Sequence, residues 1–154
     1  MSRVIAGIGI PGSGKSTSLL QYAREHSYAY ISPDELRQEI SGDVRIQSDM
    51  RLVWETAFLR LKEALERGET VVFDATQYKP VDRRDFADKA KSYGATEIVG
   101  VYFNVPLDTA KERNVLRART VPEHALERMR RLLQEYPPSV ADGFTAIISP
   151  DELT

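Results

Sequence analysis

The chain has 154 residues, of which 42% are hydrophobic and 29% charged, and it contains no cysteine. This composition predicts one globular domain over residues 1–154 and excludes disulfides, thiolate metal sites and cysteine nucleophiles. The net charge of −2 argues against a protein that coats nucleic acid unselectively, and no apolar stretch reaches the ~18 residues of a membrane span. We therefore expect a cytoplasmic protein that does not bind membranes.

Strand and helix patterns alternate along the chain. Predicted strands are short and apolar on both faces, whereas predicted helices carry one periodic apolar face. In chain order we predict strand 3–10, helix 16–25, strand 28–32, helix 33–40, loop 41–48, helix 50–67, strand 69–76, helix 80–94, strand 96–105, helix 106–117, helix 125–136 and strand 144–148.

Two of these helices carry clear end signals. Ser32 is predicted to cap the helix 33–40, because Glu35 follows three residues later as in a capping box. The helix 50–67 is ended by Gly68, and Trp54 lies on its apolar stripe, where we predict a core residue.

The alternation of strands and helices predicts an α/β fold, with a parallel sheet covered by helices on both faces. In such sheets, ligands bind at the carboxyl ends of the strands. Functional residues are therefore expected among the polar side chains that directly follow each strand.

A phosphate-binding loop follows the first strand. The stretch GIPGSGKST, residues 9–17, satisfies the pattern Gly-x-x-x-x-Gly-Lys-Ser/Thr through Gly9, Gly14, Lys15 and Ser16. Glycines let the backbone wrap closely, so that successive N–H groups point at phosphate oxygens, and the following helix adds its positive end. The alternative is a glycine-rich turn that binds no ligand, but it would not explain why a predicted strand precedes the stretch and a predicted helix follows it.

Each polar residue of the loop has a predicted role. Lys15 is expected to bridge the outer phosphates, Ser16 to coordinate Mg²⁺ and Thr17 to contact an inner phosphate. Gly12 and Ser13 complete the predicted site for the nucleoside triphosphate. The loop does not by itself separate kinases from other NTPases, but a chain of this size favours a small kinase.

An acidic and a basic residue on one helix suggest an acceptor site. Asp34 and Arg37 are three residues apart and therefore share a helix face. A carboxylate can take the proton of an attacking hydroxyl, and an arginine can hold an acceptor phosphate. Alternatively, Asp34 complements the helix dipole and Arg37 is a solvated surface charge.

Further candidates follow later strands. Asp74 ends the strand VVFD, where it can order Mg²⁺, hold a neighbouring arginine or cap the next loop. Arg113 and Arg117, four residues apart with Arg119 just beyond, can offset charge on the transferring phosphoryl group from a mobile lid. The alternative is a solvated basic helix end.

Taken together, the motifs GIPGSGKST, SPDELRQ, VVFDAT, FNVP and KERNVLRARTVP resemble the kinase domain of bacteriophage polynucleotide 5′-hydroxyl kinase and its bacterial end-healing relatives. The resemblance runs in order over residues 3–148 and implies a P-loop fold with a helical lid, using ATP and Mg²⁺ on nucleic-acid 5′ ends in repair. It places Asp34 on the general base, Arg37 on the clamp for the acceptor 3′ phosphate and Asp74 on the aspartate beside it. Lys15 and Arg117, supported by Arg113, would bind the donor phosphates.

The chain departs from the phage pattern after its third strand. Asp74-Ala75-Thr76-Gln77 stands where the phage enzyme has Asp-Thr-Asn, one residue longer before Pro80. This segment looks more like the wider group of small P-loop kinases, including those that act on nucleosides, small metabolites or hydroxymethylated DNA bases. A regulatory ATP-binding module and a subunit of a larger repair assembly also stay open.

Other residues near these motifs have predicted roles of lesser weight. Arg83 and Arg84 recur in the family pattern but are equally compatible with solvated charges at a helix start. Tyr78 is a candidate for stacking on a base.

Overall fold

The computed structural model describes residues 2–41, 50–117 and 120–154. Within these ranges, five parallel strands form one sheet and six α-helices accompany it, so the predicted fold class is confirmed. The strands are β1 Ser2–Ile8, β2 Ala29–Ile31, β3 Val71–Asp74, β4 Ala95–Tyr102 and β5 Ala146–Ile148. The helices are α1 Lys15–His26, α2 Pro33–Ser41, α3 Met50–Glu66, α4 Pro80–Ser92, α5 Leu107–Asn114 and α6 Glu123–Glu135.

The strand order β2-β3-β1-β4-β5 puts β1 and β3 side by side near the centre of the sheet. Their register pairs Val4 with Val71 and Gly7 with Asp74, so both strands end at the same edge. The glycine-rich loop after β1 therefore lies beside the acid that ends β3. None of the helices in the described ranges is long and apolar enough to cross a bilayer.

Both faces of the sheet are covered by helices, as the two-sided apolar strands predict. On one face, Val4, Ala6 and Ile8 of β1 belong to a core to which α3 and α4 contribute. On the other face, Ile5 packs with Leu19 of α1 in a second, smaller core. Because β1 is buried on both sides, the loop that follows it starts from a fixed point.

The observed elements differ from the predicted ones mainly at their ends. The strand predicted at 69–76 is shorter in the structure, where β3 covers only Val71–Asp74. The two chains stay side by side beyond the ends of β1 and β3, because the Gly9 N–H donates a hydrogen bond to the Thr76 carbonyl at 3.1 Å. Of the loop predicted at 41–48, residue 41 still belongs to α2 and the remainder lies outside the described ranges. Arg119 lies outside them too.

Trp54 is not the fully buried core residue that its helical stripe predicts. Its neighbours on the stripe, Val53 and Ala57, have no exposed surface, but Trp54 is half-buried. The indole packs against the margin of the core and lines cavities at the carboxyl edge of the sheet. Periodicity identifies which face of a helix points inward, but it does not show which residues of that face border a cavity at the edge of the core.

Arg83 is one of the most deeply buried side chains, so its reading as a solvated charge is wrong. Its Nε donates to the Asp142 carboxylate at 2.8 Å, and its two terminal nitrogens donate to the carbonyls of Gln77 and Tyr136. Arg84, by contrast, is largely exposed and lies 3.5 Å from the same carboxylate. Arg83 thus ties the segment after β3 to the C-terminal part of the chain.

We expect Asp142→Asn to destabilise the protein by roughly 3–5 kcal/mol, because it leaves the buried Arg83 guanidinium without its carboxylate. Urea unfolding measures this as a lower midpoint at unchanged slope. Glu39→Ala is the matched control, since it breaks the exposed Arg60–Glu39 pair and should move the midpoint very little. Equal midpoints for the two variants would show that the buried pair contributes no more than a surface pair.

Candidate active site

The glycine-rich loop is closely packed against helix α5. Gly12 and Gly14 both have a φ of 84°, in the left-handed region that favours glycine, and Gly14 is the N-cap of α1. A β-carbon on Gly12 would lie 2.3 Å from the Ala110 carbonyl oxygen. Gly12 therefore sets how closely α5, and with it Arg113, approaches the loop.

We expect Gly12→Ala to weaken ATP binding by roughly tenfold or more, because the added methyl forces α5 away from the loop and strains the left-handed backbone. Equilibrium binding of a fluorescent ATP analogue measures the loss. Gly68→Ala is the matched control: Gly68 has a φ of 78°, but among the described residues nothing lies within 4 Å of the place that a β-carbon would take. The control should lose stability while keeping ATP affinity, and equal losses of affinity would contradict the steric argument.

Lys15, Asp74 and Tyr30 form a buried cluster at the carboxyl ends of three neighbouring strands. The Lys15 ammonium pairs with one Asp74 carboxylate oxygen, and the Tyr30 hydroxyl donates to the other. Burial opposes the charged form of Asp74, but the Lys15 charge and hydrogen bonds from Lys15, Tyr30 and Ser16 outweigh it and lower the pKa of this carboxyl. Burial and the nearby Asp74 charge raise the pKa of the Tyr30 hydroxyl, which stays a donor.

The structure therefore gives Asp74 a partner that sequence reasoning did not choose. Of the contacts predicted for this acid, the arginine is replaced by the lysine of the loop, since β1 and β3 are adjacent. Tyr30 was not identified from the sequence at all. Its only signal is its place one residue before the end of the short strand β2, next to β3 in the sheet.

Asp34 lies between two arginines at the mouth of the site. Arg37, three residues on, has its Nη1 3.8 Å from Asp34 Oδ1, and Arg117 has its Nη2 3.7 Å from Oδ2. The Asp34 carboxylate is half exposed, while Arg37 is buried and also donates to the Met50 sulfur at 3.1 Å. Asp34 and Arg37 share a helix face, as their spacing predicts, and Arg117 approaches Asp34 from a distant part of the sequence.

Local structure fixes the position of Asp34. The Ser32 hydroxyl accepts from the Glu35 N–H at 3.4 Å, as the predicted cap requires, and the Leu36 side chain is buried in the core. The cap and the buried leucine anchor the first turn of α2 directly after β2. Asp34 is thereby held at the carboxyl edge of the sheet, on the side of the glycine-rich loop.

The described residues form several cavities, and we name three of those at this edge of the sheet for their surroundings. The loop cavity, about 340 Å³, is lined by Gly12, Ser13, Gly14, Lys15, Ser16, Thr17, Asp34, Thr76, Arg113, Arg117 and two further loop residues. The inner cavity, about 170 Å³, is lined by residues that include Asp34, Met50, Trp54, Asp74, Thr76 and Arg117. The aromatic cavity, about 340 Å³, is lined by Trp54, Phe58, Thr76, Gln77, Asp82, Asp85 and Phe86.

The loop cavity and the inner cavity share part of their walls. Lys15, Asp34, Thr76 and Arg117 line both of them, so the Asp34 carboxylate stands where the two spaces meet. Arg37 is not among the described lining residues of either cavity and lies behind Asp34. Thr76 was not identified from the sequence as a site residue, although it lies two residues after Asp74, which ends β3.

Arg113 lies in the last turn of α5, and Arg117 follows three residues after the end of that helix. The Arg113 Nη1 lies 3.5 Å from the Gly12 carbonyl, at the surface of the loop. Asn114, buried at the end of α5, exchanges hydrogen bonds with the backbone of Val121 at 2.7 and 3.1 Å. These bonds tie Val121 to the end of α5, and Arg117 lies between the two bonded residues in the sequence.

The donor atoms near the loop suit a hard divalent cation. The Ser16 hydroxyl lies close enough to the Asp74 carboxylate to help lower its pKa, and both groups are oxygen ligands of the kind that Mg²⁺ accepts beside phosphate and water. No cluster of three or more acidic, histidine or cysteine side chains suited to a metal occurs in the described ranges. A cation at Ser16 would therefore depend on oxygens of a bound nucleotide.

A family profile described as an AAA domain, AAA_33, matches residues 4–136. An L-seryl-tRNA(Sec) kinase of Methanococcus maripaludis is 28% identical over 124 residues, which cover 79% of this chain and 48% of the relative. A protein of Acanthamoeba polyphaga mimivirus, provisionally named a bifunctional polynucleotide phosphatase/kinase, is 27% identical over 124 residues, covering 78% of this chain and 26% of that protein. The chain thus spans about half or less of the length of these curated relatives.

Among solved structures, one described as the Pnkp1/Rnl/Hen1 RNA repair complex matches with a TM-score of 0.77 at 22% identity. The match covers 87% of this chain and 44% of the other. At this level of identity the likeness establishes the fold, which is the parallel five-stranded sheet with a phosphate-binding loop.

Proposed function

We infer the function of this chain from its family: the chain belongs to the AAA_33 family of AAA domains, whose profile spans residues 4–136. It is a P-loop kinase, and membership of this group implies ATP as the phosphoryl donor. Our proposal concerns the acceptor, which we take to be the 5′-hydroxyl of a polynucleotide. The chain would transfer the γ-phosphoryl group of ATP to that end.

The position of Asp34 carries the proposal. Its carboxylate lines both the loop cavity, where the triphosphate would lie, and the inner cavity, which has room for an alcohol. A base at that junction can reach the hydroxyl that attacks the terminal phosphorus. A module that only bound ATP would not need an acid between two cavities.

The proposed reaction is an in-line displacement. The acceptor oxygen forms a bond to the γ-phosphorus, the bond from phosphorus to the ADP oxygen breaks, and Asp34 takes the hydroxyl proton. Lys15 and Arg113 lie beside the loop backbone, where they would offset the negative charge on the phosphate oxygens. Arg117 contacts Asp34 and lines the loop cavity, so it would link the base to the donor phosphates.

Ser16 and Asp74 would hold Mg²⁺ together with phosphate oxygens, and the cation would supply neutralisation of charge on the donor. Asp74 keeps a lowered pKa and is therefore available as an ionised ligand at neutral pH. Its release from Lys15 would free the ammonium for the outer phosphates.

Arg37 has a more limited role in our proposal than the family resemblance implies. Because it is buried behind Asp34 and 3.8 Å from its carboxylate, it positions the base. The predicted clamp on an acceptor 3′ phosphate would require its guanidinium to reach the inner cavity, and this role stays a prediction.

The comparisons support a nucleic-acid acceptor. Two curated relatives are named for a kinase of an aminoacyl-tRNA and a kinase of polynucleotides, and one structural match is described as an RNA repair complex, although other structures of the same fold are named as gluconokinase and shikimate kinase. A small metabolite or a modified DNA base remains the rival acceptor, served by the same base and donor loop.

The experiment is a transfer assay with γ-labelled ATP and Mg²⁺. It offers 5′-hydroxyl DNA and RNA oligonucleotides, seryl-tRNA, free nucleosides and a hydroxymethylated duplex. We expect label on the 5′ end of the oligonucleotides, removable by phosphatase, and none on oligonucleotides that already carry a 5′ phosphate. Label on seryl-tRNA, nucleosides or the modified duplex alone would assign the other acceptor, and no transfer to any of them would overturn the proposal.

A further inference from the structure

Gln77 is a buried amide without a partner at the wall of the aromatic cavity. Only 6% of the residue is exposed, and among the described residues neither its Nε2 nor its Oε1 has a hydrogen-bond partner. A buried amide that makes no hydrogen bond is costly, so such groups are usually satisfied by a ligand or water. The Gln77 amide therefore lowers the stability of the fold unless a ligand or water forms hydrogen bonds with it.

The backbone around Gln77 is held in an unusual conformation. Gln77 has a φ of 48°, in the left-handed region that residues other than glycine rarely adopt. The buried Arg83 donates to the Gln77 carbonyl at 3.0 Å, and the preceding carbonyl, that of Thr76, accepts from Gly9. Strained residues that the surrounding structure holds in place are concentrated at binding sites.

The aromatic cavity adjoins the proposed acceptor site. Trp54 and Thr76 line both it and the inner cavity, where Asp34 stands. An acceptor whose hydroxyl lies at Asp34 would extend past these two residues toward Gln77.

The walls of the aromatic cavity favour a flat, uncharged group. Trp54, Phe58 and Phe86 supply aromatic surface, and Gln77 and Thr76 are the uncharged polar residues of the described lining. Its described lining also includes the carboxylates of Asp82 and Asp85, of which Asp85 is paired with Lys89 at 2.6 Å, so the Asp82 carboxylate would disfavour an anionic group there. An amide that offers one donor and one acceptor side by side matches the edge of a nucleobase.

We propose that the aromatic cavity binds the nucleobase of the 5′-terminal nucleoside, with the buried Gln77 amide turning into the cavity to hydrogen-bond the edge of the base and the aromatic side chains against its face. This inference rests on the proposed function, because it takes the inner cavity to hold the sugar of that nucleoside. Since the amide can turn over and exchange its donor and acceptor, it complements each of the common bases. The cavity would therefore require a base without selecting strongly among them.

The single tryptophan of the chain gives a direct readout, because Trp54 lines this cavity. The probes are thymidine 3′-phosphate and the matching abasic sugar 3-phosphate, titrated with a non-hydrolysable ATP analogue and Mg²⁺ present to occupy the donor loop. We expect thymidine 3′-phosphate to change the tryptophan fluorescence and to bind roughly tenfold or more tightly than the abasic probe.

Two variants test the amide itself. Gln77→Leu keeps the volume of the side chain, and Gln77→Gly removes it while suiting the left-handed backbone, so at least one should fold. Both should reduce the preference for thymidine 3′-phosphate over the abasic probe by roughly threefold to tenfold, as expected for the loss of a hydrogen bond while the aromatic walls are kept. Gln134→Leu, on the exposed side of α6, is the matched control and should keep the preference.

The experiments distinguish a failure of the base-site proposal from a failure of the kinase proposal. If the preference depends on Gln77 but no oligonucleotide accepts label, the base site stands and the acceptor assignment fails. If oligonucleotides accept label and the folded Gln77 variants keep the wild-type preference, the kinase stands and the base site is overturned. An equal affinity of the wild-type protein for both probes overturns it as well.

Discussion

Replacing Asp34 by Asn is expected to lower kcat by roughly 10²–10⁴-fold, the usual contribution of a positioned general base. The amide keeps the shape of the side chain at the junction of the loop cavity and the inner cavity but cannot take the proton of the acceptor hydroxyl. ATP affinity should change much less, because the loop backbone and Lys15 are untouched. The measurements are steady-state transfer to a 5′-hydroxyl oligonucleotide and equilibrium binding of ATP.

The matched control for this variant is Glu35→Gln. Glu35 is the next acid on the same helical turn and is exposed, and it is absent from the described lining of the loop and inner cavities. Its loss should leave kcat within about twofold, because the variant removes a carboxylate from α2 without touching the reacting atoms. If Asp34→Asn turns over at the wild-type rate, Asp34 is not the base and the ATP-binding module becomes the better description.

Arg117→Ala is expected to have an effect at least as large, a loss of roughly 10³–10⁵-fold in kcat, in line with arginines that contact a transferring phosphoryl group. The guanidinium lies 3.7 Å from the Asp34 carboxylate and also lines the loop cavity. Its removal would take away both the stabilising charge and the contact that links donor to base. Single-turnover transfer with ATP in excess isolates this step from product release.

Arg128→Ala serves as the control for Arg117, because Arg128 is an exposed arginine of the neighbouring helix α6. It should leave kcat unchanged and should not alter the salt dependence of transfer. Arg117→Lys should recover only part of the loss, since an ammonium lacks the planar fork of the guanidinium. A variant Arg117→Ala whose KM for ATP rises at constant kcat would place the arginine in ground-state binding instead.

Much of the fold follows from local sequence patterns. The two-sided apolar strand β1 and the glycines at positions 12 and 14 encode their own backbone conformations, so the sheet type and the phosphate loop were predictable. The short spacing between Asp34 and Arg37 likewise brings them together on one helical turn, whatever the rest of the chain does.

The remaining contacts depend on which strands and helices become neighbours. Lys15 meets Asp74 across 59 residues, and Arg83 meets Asp142 across another 59, through the strand order and the return of the C-terminal segment. No local pattern specifies these pairs. Gln77 was also beyond sequence reasoning, because its significance lies in a positive φ and in an amide that has no hydrogen-bond partner within the described part of the chain.

The ion pair of Lys15 with Asp74 makes anion binding at the loop a competition. An incoming phosphate must displace a carboxylate that is itself buried, and a bare anion would leave this carboxylate stranded beside its own negative charge. A triphosphate with a bound divalent cation would supply a partner for each residue of the broken pair, because its phosphates would bind Lys15 and its cation would bind Asp74. If the loop binds ATP with Mg²⁺ as proposed, this competition would disfavour inorganic phosphate relative to the metal–nucleotide complex.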